Sequence, residues 1–256
     1  MGLIIINLSL IKIIPVNDFP SIYESDRGAA CIVDLLFNLT KVIDGDIIVI
    51  AQKIISKIEG RSVKISDVKA SETALQLAKE VNKDPRLVEL ILSESIRVVR
   101  SAPGVLIVET RHGFICANAG IDRSNVFGED IFLKLPENPD RTAMEIRVRI
   151  KSLYSLEVGV IISDSFNRPW RKGSVNVALG VSGINPLVDL RGTKDDVGKT
   201  MESSMVAMGD EIASAAQLVM GESGGIPVVI VRGMRPDGSD VGWQVLKRPY
   251  SEDLFR

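Results

Sequence analysis

The chain has 256 residues, with 31 Lys and Arg against 33 Asp and Glu, a formal net charge of −2, and 45% hydrophobic residues. That length suits one large domain or two small ones, and near-neutrality excludes a nucleic-acid binder held by a broad basic surface, so any anion site must be local. Only Cys31, Cys116 and a single His112 are present, in no CxxC arrangement, which leaves neither a disulfide scaffold nor a zinc site.

In chain order, "MGLIIINLSLIKIIPV" lacks a basic leader and is interrupted by Asn7, Ser9 and Lys12, so it reads as a strand over 3–14 rather than a signal peptide. Ile6 breaks the myristoylation pattern. No apolar run approaches the ~20 residues that span a bilayer, and a cytoplasmic location is expected. Residues 25–42 read as a helix with Ser25 or Asp26 as N-cap. Residues 44–61 give a short apolar strand and then a segment bearing Lys53 and Lys57. Two short helices follow over 71–82 and 84–95, the second opened by Asp84 and Pro85. Residues 104–120 are two apolar runs around a polar turn holding His112, a hairpin pattern.

A helix over 139–154 leads into a strand at 158–163. Another strand covers 174–181, a long helix 202–220, and a late strand 225–233. Hairpins interrupt the alternation of strands and helices, so the expected class is α+β, with mixed sheets, hairpins and packed helices. A dip in hydrophobicity near 60–72 is compatible with two α+β subdomains inside one chain, and no repeat or low-complexity linker is visible.

Four clusters could carry chemistry. Lys53, Ser56 and Lys57 follow a strand end, where cations suit phosphate oxygens; a solvated helix face with lysines at i and i+4 is the plain alternative. "CANAGIDRSN" (116–125) offers Asn118, Asp122 and Asn125 as oxygen ligands for a hard cation, or an Asx-rich turn. "SDSFNRPWRKG" (163–173) packs Asp164, Ser165, Arg168, Trp170, Arg171 and Lys172 directly behind a strand. The arginine fork grips carboxylates and phosphates, although the same arginines could pair with surface acids. "MGESGGIP" (220–227) combines Glu222 with glycines that let backbone amides approach a ligand, or is simply a helix cap and turn. No GxxxxGK[ST] loop is present, so a P-loop nucleotide site is not expected.

The strings "DGDIIVIAQKIISKIEGR", "VETRHGFICANAGIDRSNV", "VGVIISDSFNRPWRKGSVNVALGVSGINPLVDLRGTKD" and "AAQLVMGESGGIPVVIVRG" resemble the coenzyme F420:L-glutamate ligase family over nearly the whole chain. The resemblance implies a GTP-dependent ligase that adds L-glutamate to a deazaflavin precursor, coenzyme F420-0, through an acyl phosphate. It further implies Mg²⁺ or Mn²⁺ at two sites, K⁺, and an intertwined homodimer without an appended flavin-reductase domain. By position, Asp122 and Asp164 match one metal site, and Ser165 and Glu222 the second. Asn125 matches a GTP contact. Phe19, Pro20, Ser21, Ile22, Gln52, Lys53 and Lys57, with Met220, Gly221, Glu222, Ser223, Gly224, Gly225, Ile226 and Pro227, match further nucleotide positions. Ser165 stands where the family often has Thr, which keeps a hydroxyl, and Asn167 where it often has Gly.

Phosphoryl transfer needs positioning and charge neutralisation more than a protein nucleophile, which suits a site without His or Cys. Arg168, Arg171 and Lys172 are then expected to meet anionic groups of a substrate. Two other classes fit the same residues: a carboxylate kinase that stops at the acyl phosphate, and a non-catalytic module that binds a nucleotide or a deazaflavin.

Overall fold

Runs of β-branched residues build the centre of the molecule. The computed structural model describes residues 10–22, 28–123, 130–222 and 224–254. In chain order the elements begin with β1 (Lys12–Pro15), α1 (Ala29–Leu39), β2 (Ile47–Ala51) and α2 (Gln52–Ile58). They continue with β3 (Ser62–Lys64), α3 (Glu72–Val81), α4 (Pro85–Ser93), β4 (Ser95–Ala102), β5 (Val105–Thr110), β6 (Ile115–Ala117) and β7 (Ile131–Leu133). The last third holds α5 (Pro139–Tyr154), β8 (Gly159–Arg168), β9 (Arg171–Ser182), β10 (Val188–Asp189), β11 (Met205–Val206), α6 (Met208–Met220) and β12 (Val228–Arg232).

The central sheet runs β1-β12-β2-β8-β9. Only the β2–β8 pair is parallel, from Ile47 opposite Gly159 to Ala51 opposite Ser163; its other neighbours are antiparallel. Parallel neighbours require a crossover, and residues 52–158 supply it.

Side chains alternate between the two faces of the sheet. Ile48, Ile50, Val160, Ile162, Val228 and Ile230 pack against α1 and α5 through Ile32, Leu36, Ile146 and Ile150. Ile47, Val49, Ile161, Val229 and Val231 pack against α6 through Ile212, Ala213 and Ala216. Because both faces are covered, the central strands read as continuous apolar runs rather than alternating ones. Each such fully buried aliphatic side chain contributes about 1.5–3 kcal/mol. Helices on both sides of a mixed sheet, with hairpins, make the architecture α+β.

Within the crossover lies a smaller lobe with its own core. Ala74, Ala78 and Val81 of α3, Val88 and Ile91 of α4, and Leu106 and Val108 of β5 pack together there. Its antiparallel sheet is β4-β5-β6. No helix among the described residues is long and apolar enough to cross a membrane.

Several sequence expectations shift. The strand expected over 3–14 is seen as Lys12–Pro15, since residues 1–9 lie outside the described part. The cap assigned to Ser25 or Asp26 also lies outside it, and the helix begins after Gly28, whose φ of 86° is costly for any side chain. The helix expected over 84–95 ends at Ser93, and Ser95 begins a strand, Ser95–Ala102, that the sequence reading does not contain. The helix expected from 202 starts at Met208, because Met205–Val206 pairs with Val188–Asp189 instead. The largest change concerns 164–172: β8 runs on to Arg168 and β9 starts at Arg171, so this stretch is a strand extension ending in a tight hairpin.

Candidate active site

Sheet topology brings the ends of three strands together beside the middle of a fourth. Ala51, at the carboxyl end of β2, lies opposite Ser163, midway along β8. Val228 at the start of β12 pairs with Ile50, and the Ala51 N–H donates to the Pro227 carbonyl at 2.8 Å. Pro15 at the end of β1 lies opposite Val229. The segments following β1 and β2, the second half of β8 and the loop preceding β12 therefore all open onto one edge, the position that ligands favour in open sheets containing parallel strands. A cleft of about 780 Å³ lies there.

Every described residue proposed for metal or nucleotide binding lines this cleft: Phe19–Ile22, Gln52, Lys53, Lys57, Asp122, Asp164, Ser165, Met220–Glu222 and Gly224–Pro227. Asn125 and Ser223 lie outside the described residues. Arg168, Arg171 and Lys172 are not among the lining residues; they stand on the hairpin beyond Asn167, which is. His112 sits in the β5–β6 turn as expected, its Nε2 within 2.9 Å of the Pro136 carbonyl oxygen, and it is not among the cleft-lining residues.

Asp164 is the first residue of β8 past its buried stretch. Desolvation pushes its carboxyl up to about 7, and the charge of Asp122 adds to that; the Ser165 backbone N–H, Lys53 and the Gln52 side chain oppose it. Asp122 reaches the cleft from the smaller lobe, where its backbone exchanges hydrogen bonds with Leu133 at 3.1 and 2.8 Å. The Lys53 ammonium lies 2.7 Å from Asp122 Oδ2. Lys57, one helical turn on, is held below the usual lysine range by burial and then by Lys53. Cation-binding and anion-binding groups thus interleave along one wall.

On the opposite wall, Ser165 Oγ is 2.7 Å from Asn176 Oδ1 and 3.2 Å from Glu222 Oε1, and Gln217 Nε2 donates to the same Glu222 oxygen at 3.1 Å. Gly221 and Gly225 take φ of 60° and 69°, so the chain reverses tightly between α6 and β12. Asn118, Ala119 and Gly120, in the turn before Asp122, take successive φ values of 53°, 55° and 68°. Such backbone costs of order 1–3 kcal/mol per residue in the non-glycine cases and clusters at ligand sites.

Could these groups hold a divalent cation? No cluster of three His, Cys, Asp or Glu side chains exists among the described residues. The oxygen donors come instead as a carboxylate pair, Asp122 with Asp164, and as a hydroxyl with a carboxylate, Ser165 with Glu222. Mg²⁺ is commonly held by one or two carboxylates with the rest of its shell from water and phosphate oxygens, so the donor set fits.

Three polar lining residues were missed from the sequence: Ser163, Asn176 and Gln217. Asn176 carried a signal, a lone amide inside "SVNVALGVSG", and it is buried opposite Ser165 in the β8–β9 register. Gln217 had none, because one polar residue on a helix is ordinary.

Residues 17–233 match the model of the F420-0:gamma-glutamyl ligase family. The chain belongs to that family. The matched span contains every cleft-lining residue, from Phe19 to Pro227. Among curated relatives, the coenzyme F420:L-glutamate ligase of Methanocaldococcus jannaschii is 49% identical over 216 residues, 83% of this chain and 85% of the relative. That of Methanothermobacter thermautotrophicus is 43% identical over 251 residues, 96% and 99% of the two chains. That of Archaeoglobus fulgidus is 38% identical over 247 residues, 96% of each. For an F420-0:gamma-glutamyl ligase family member, a cleft that mixes carboxylates, lysines and a glycine turn is chemically apt, since the family's substrates are acids.

Proposed function

We propose that this chain joins L-glutamate to the deazaflavin precursor coenzyme F420-0 at the expense of GTP, forming the γ-glutamyl-linked coenzyme. Supporting this are the family membership and the relatives' shared name. The observation that carries the chemistry is the convergence of Asp122, Asp164, Ser165 and Glu222, from three separate segments, on a cleft that also holds Lys53 and Lys57.

A carboxylate is a poor electrophile. In the proposed reaction an oxygen of the acceptor carboxylate takes the γ-phosphoryl group of GTP, releasing GDP and giving an acyl phosphate. The glutamate amine then attacks the acyl carbon, phosphate leaves, and the amine loses its proton. This chain's part is to place and neutralise the reactants. Lys53 and Lys57 face the phosphates, and the glycine turn at Gly221–Gly225 offers backbone N–H groups. Asp122 and Asp164, and Ser165 with Glu222, would hold Mg²⁺ or Mn²⁺, which when bound offsets phosphate charge. K⁺ and a homodimer belong to the same proposal.

Mass spectrometry of purified protein incubated with F420-0, GTP, glutamate and Mn²⁺ tests it. The expected product is heavier than the acceptor by one or more glutamyl units, with GDP and phosphate released. Phosphoryl transfer without any need for glutamate would instead identify a carboxylate kinase. Binding without turnover would identify a carrier.

A further inference from the structure

A buried amide stands behind the Ser165–Glu222 pair. Asn176 lies opposite Ser165 in the β8–β9 register, between Val175 and Val177, and is only 4% exposed. An amide in such a place costs free energy unless hydrogen bonds satisfy it.

The two ends of this amide are matched differently. Nδ2 donates to Ser163 Oγ at 3.3 Å and points at Met220 Sδ at 3.9 Å. A thioether sulfur accepts but cannot donate, so it favours the N–H end of the amide on its side. Oδ1 is thereby turned toward Ser165, whose Oγ is 2.7 Å away.

Ser165 has one hydroxyl proton and two acceptors near it, Asn176 Oδ1 at 2.7 Å and Glu222 Oε1 at 3.2 Å. The first distance is that of a good O–H···O bond and the second is long, so the proton goes to Asn176. Glu222 Oε1 meanwhile receives Gln217 Nε2 at 3.1 Å, which holds it in place. Lone pairs of Ser165 Oγ and Glu222 Oε1 are then left facing each other across 3.2 Å with no proton between them. That arrangement is repulsive by itself and attractive to a cation. Two oxygens bound at right angles to one Mg²⁺, each about 2.1 Å from it, stand about 3 Å apart.

We propose that Asn176 is a positioning residue for a divalent cation at Ser165 and Glu222. By accepting the Ser165 proton it turns the hydroxyl lone pairs toward Glu222, so the two oxygens are set before the ion arrives. Met220 and Ser163 fix the sense of the amide, and Asn176 itself acts only through Ser165. This role rests on the proposed function, which assigns a cation to that pair.

The test titrates Mn²⁺ into purified protein in the presence of GDP, followed by electron paramagnetic resonance, with circular dichroism to confirm the fold. Wild type, Asn176→Leu, Asn176→Asp, Ser165→Ala and the Asn176→Leu/Ser165→Ala double variant are compared. Asn176→Leu should weaken one of two Mn²⁺ ions about tenfold or more and leave the other within about twofold. Asn176→Asp keeps an acceptor for the Ser165 proton and should recover most of the loss. In the Ser165→Ala background, Asn176→Leu should change Mn²⁺ affinity by less than about twofold, because its only route of action is gone. Where circular dichroism shows loss of fold in Asn176→Leu, the smaller Asn176→Ala takes its place in both backgrounds. Unchanged Mn²⁺ binding in the Asn176 variant overturns the proposal, as does an equal further loss on top of Ser165→Ala, or failure of Asn176→Asp to recover binding. A wild type that binds one Mn²⁺, or two that Ser165→Ala leaves unaltered, would instead overturn the cation assigned to Ser165 and Glu222, and this role with it.

Discussion

Asp164 shows how burial can make one side chain oppose stability as pH rises. Its carboxyl is pushed from 3.8 up to about 7, mainly by desolvation. The folded, metal-free chain therefore holds a proton there that the unfolded chain has released. The stabilisation is complete below the unfolded value and disappears as pH rises through about 7. In chelator, urea midpoints should fall for the wild type between pH 5 and pH 8, and Asp164→Asn should flatten that part of the profile. Asp164→Asn is also expected to be the more stable protein at pH 8, and a midpoint below wild type there would contradict the cause assigned to the shift.

If Asp164 holds a cation as proposed, added Mn²⁺ should reverse that ordering, because a ligand bound only by the folded chain stabilises it by mass action. Asp122→Ala and Asp164→Ala should each weaken Mn²⁺ binding, followed by electron paramagnetic resonance, by about tenfold or more and abolish glutamyl transfer. Far-ultraviolet circular dichroism should stay native, since both side chains sit at the cleft rather than in a core. Ser165→Thr keeps the hydroxyl that approaches Glu222 and should remain active, whereas Ser165→Ala should not.

At the scale of elements, the cleft depends on how tightly the helices lie on the sheet. A Cβ on Gly180 would come within 2.3 Å of the Pro139 backbone carbon, so the start of α5 rests directly on β9. Gly180→Ala must push that helix outward, at a cost of about 1–3 kcal/mol from overpacking, readable as a lowered thermal midpoint. The far end of the sheet is held differently. Fully buried Asp46 accepts from Arg232 Nε at 2.7 Å and Nη2 at 2.8 Å, and the Ile43 N–H bonds it at 2.8 Å. Arg232→Ala strands this carboxylate and should destabilise by about 3–5 kcal/mol. Because that pair stands at the end opposite the cleft, the surviving folded fraction should keep the KM of the proposed nucleotide substrate.

For the whole molecule, the decisive feature is that Asp122 arrives from a lobe with a separate core, inserted between two strands that are neighbours in the sheet. The lobe is tied back by Arg61, which bonds Glu94 at 2.9 Å and the Leu135 carbonyl at 3.0 Å, and by Lys134 to Glu94 at 2.9 Å. Much of this was legible beforehand. The α5 helix was read at its observed bounds because Pro139 starts it and amphipathic spacing carries it to Tyr154. The α4 start was equally clear, since Asp84 caps the Arg86 N–H at 2.8 Å.

Strand β4 was not legible, because its alternation begins within two residues of a helix and local propensity does not say where one ends. Nor was the length of the β8–β9 hairpin: polar residues in a strand look like a loop until their cross-strand partners are known. The sequence by itself determined the family, through the long strings shared with it, and supplied the oxygen donors and cationic side chains from which a site could be built. Which of those donors meet, and that Arg168, Trp170 and Arg171 stand beyond the cleft rather than inside it, was decided only by the tertiary structure. Convergence of the ends of β1, β2 and β12 on the middle of β8 is a property of strand pairing over separations of up to about two hundred residues, which no local pattern encodes.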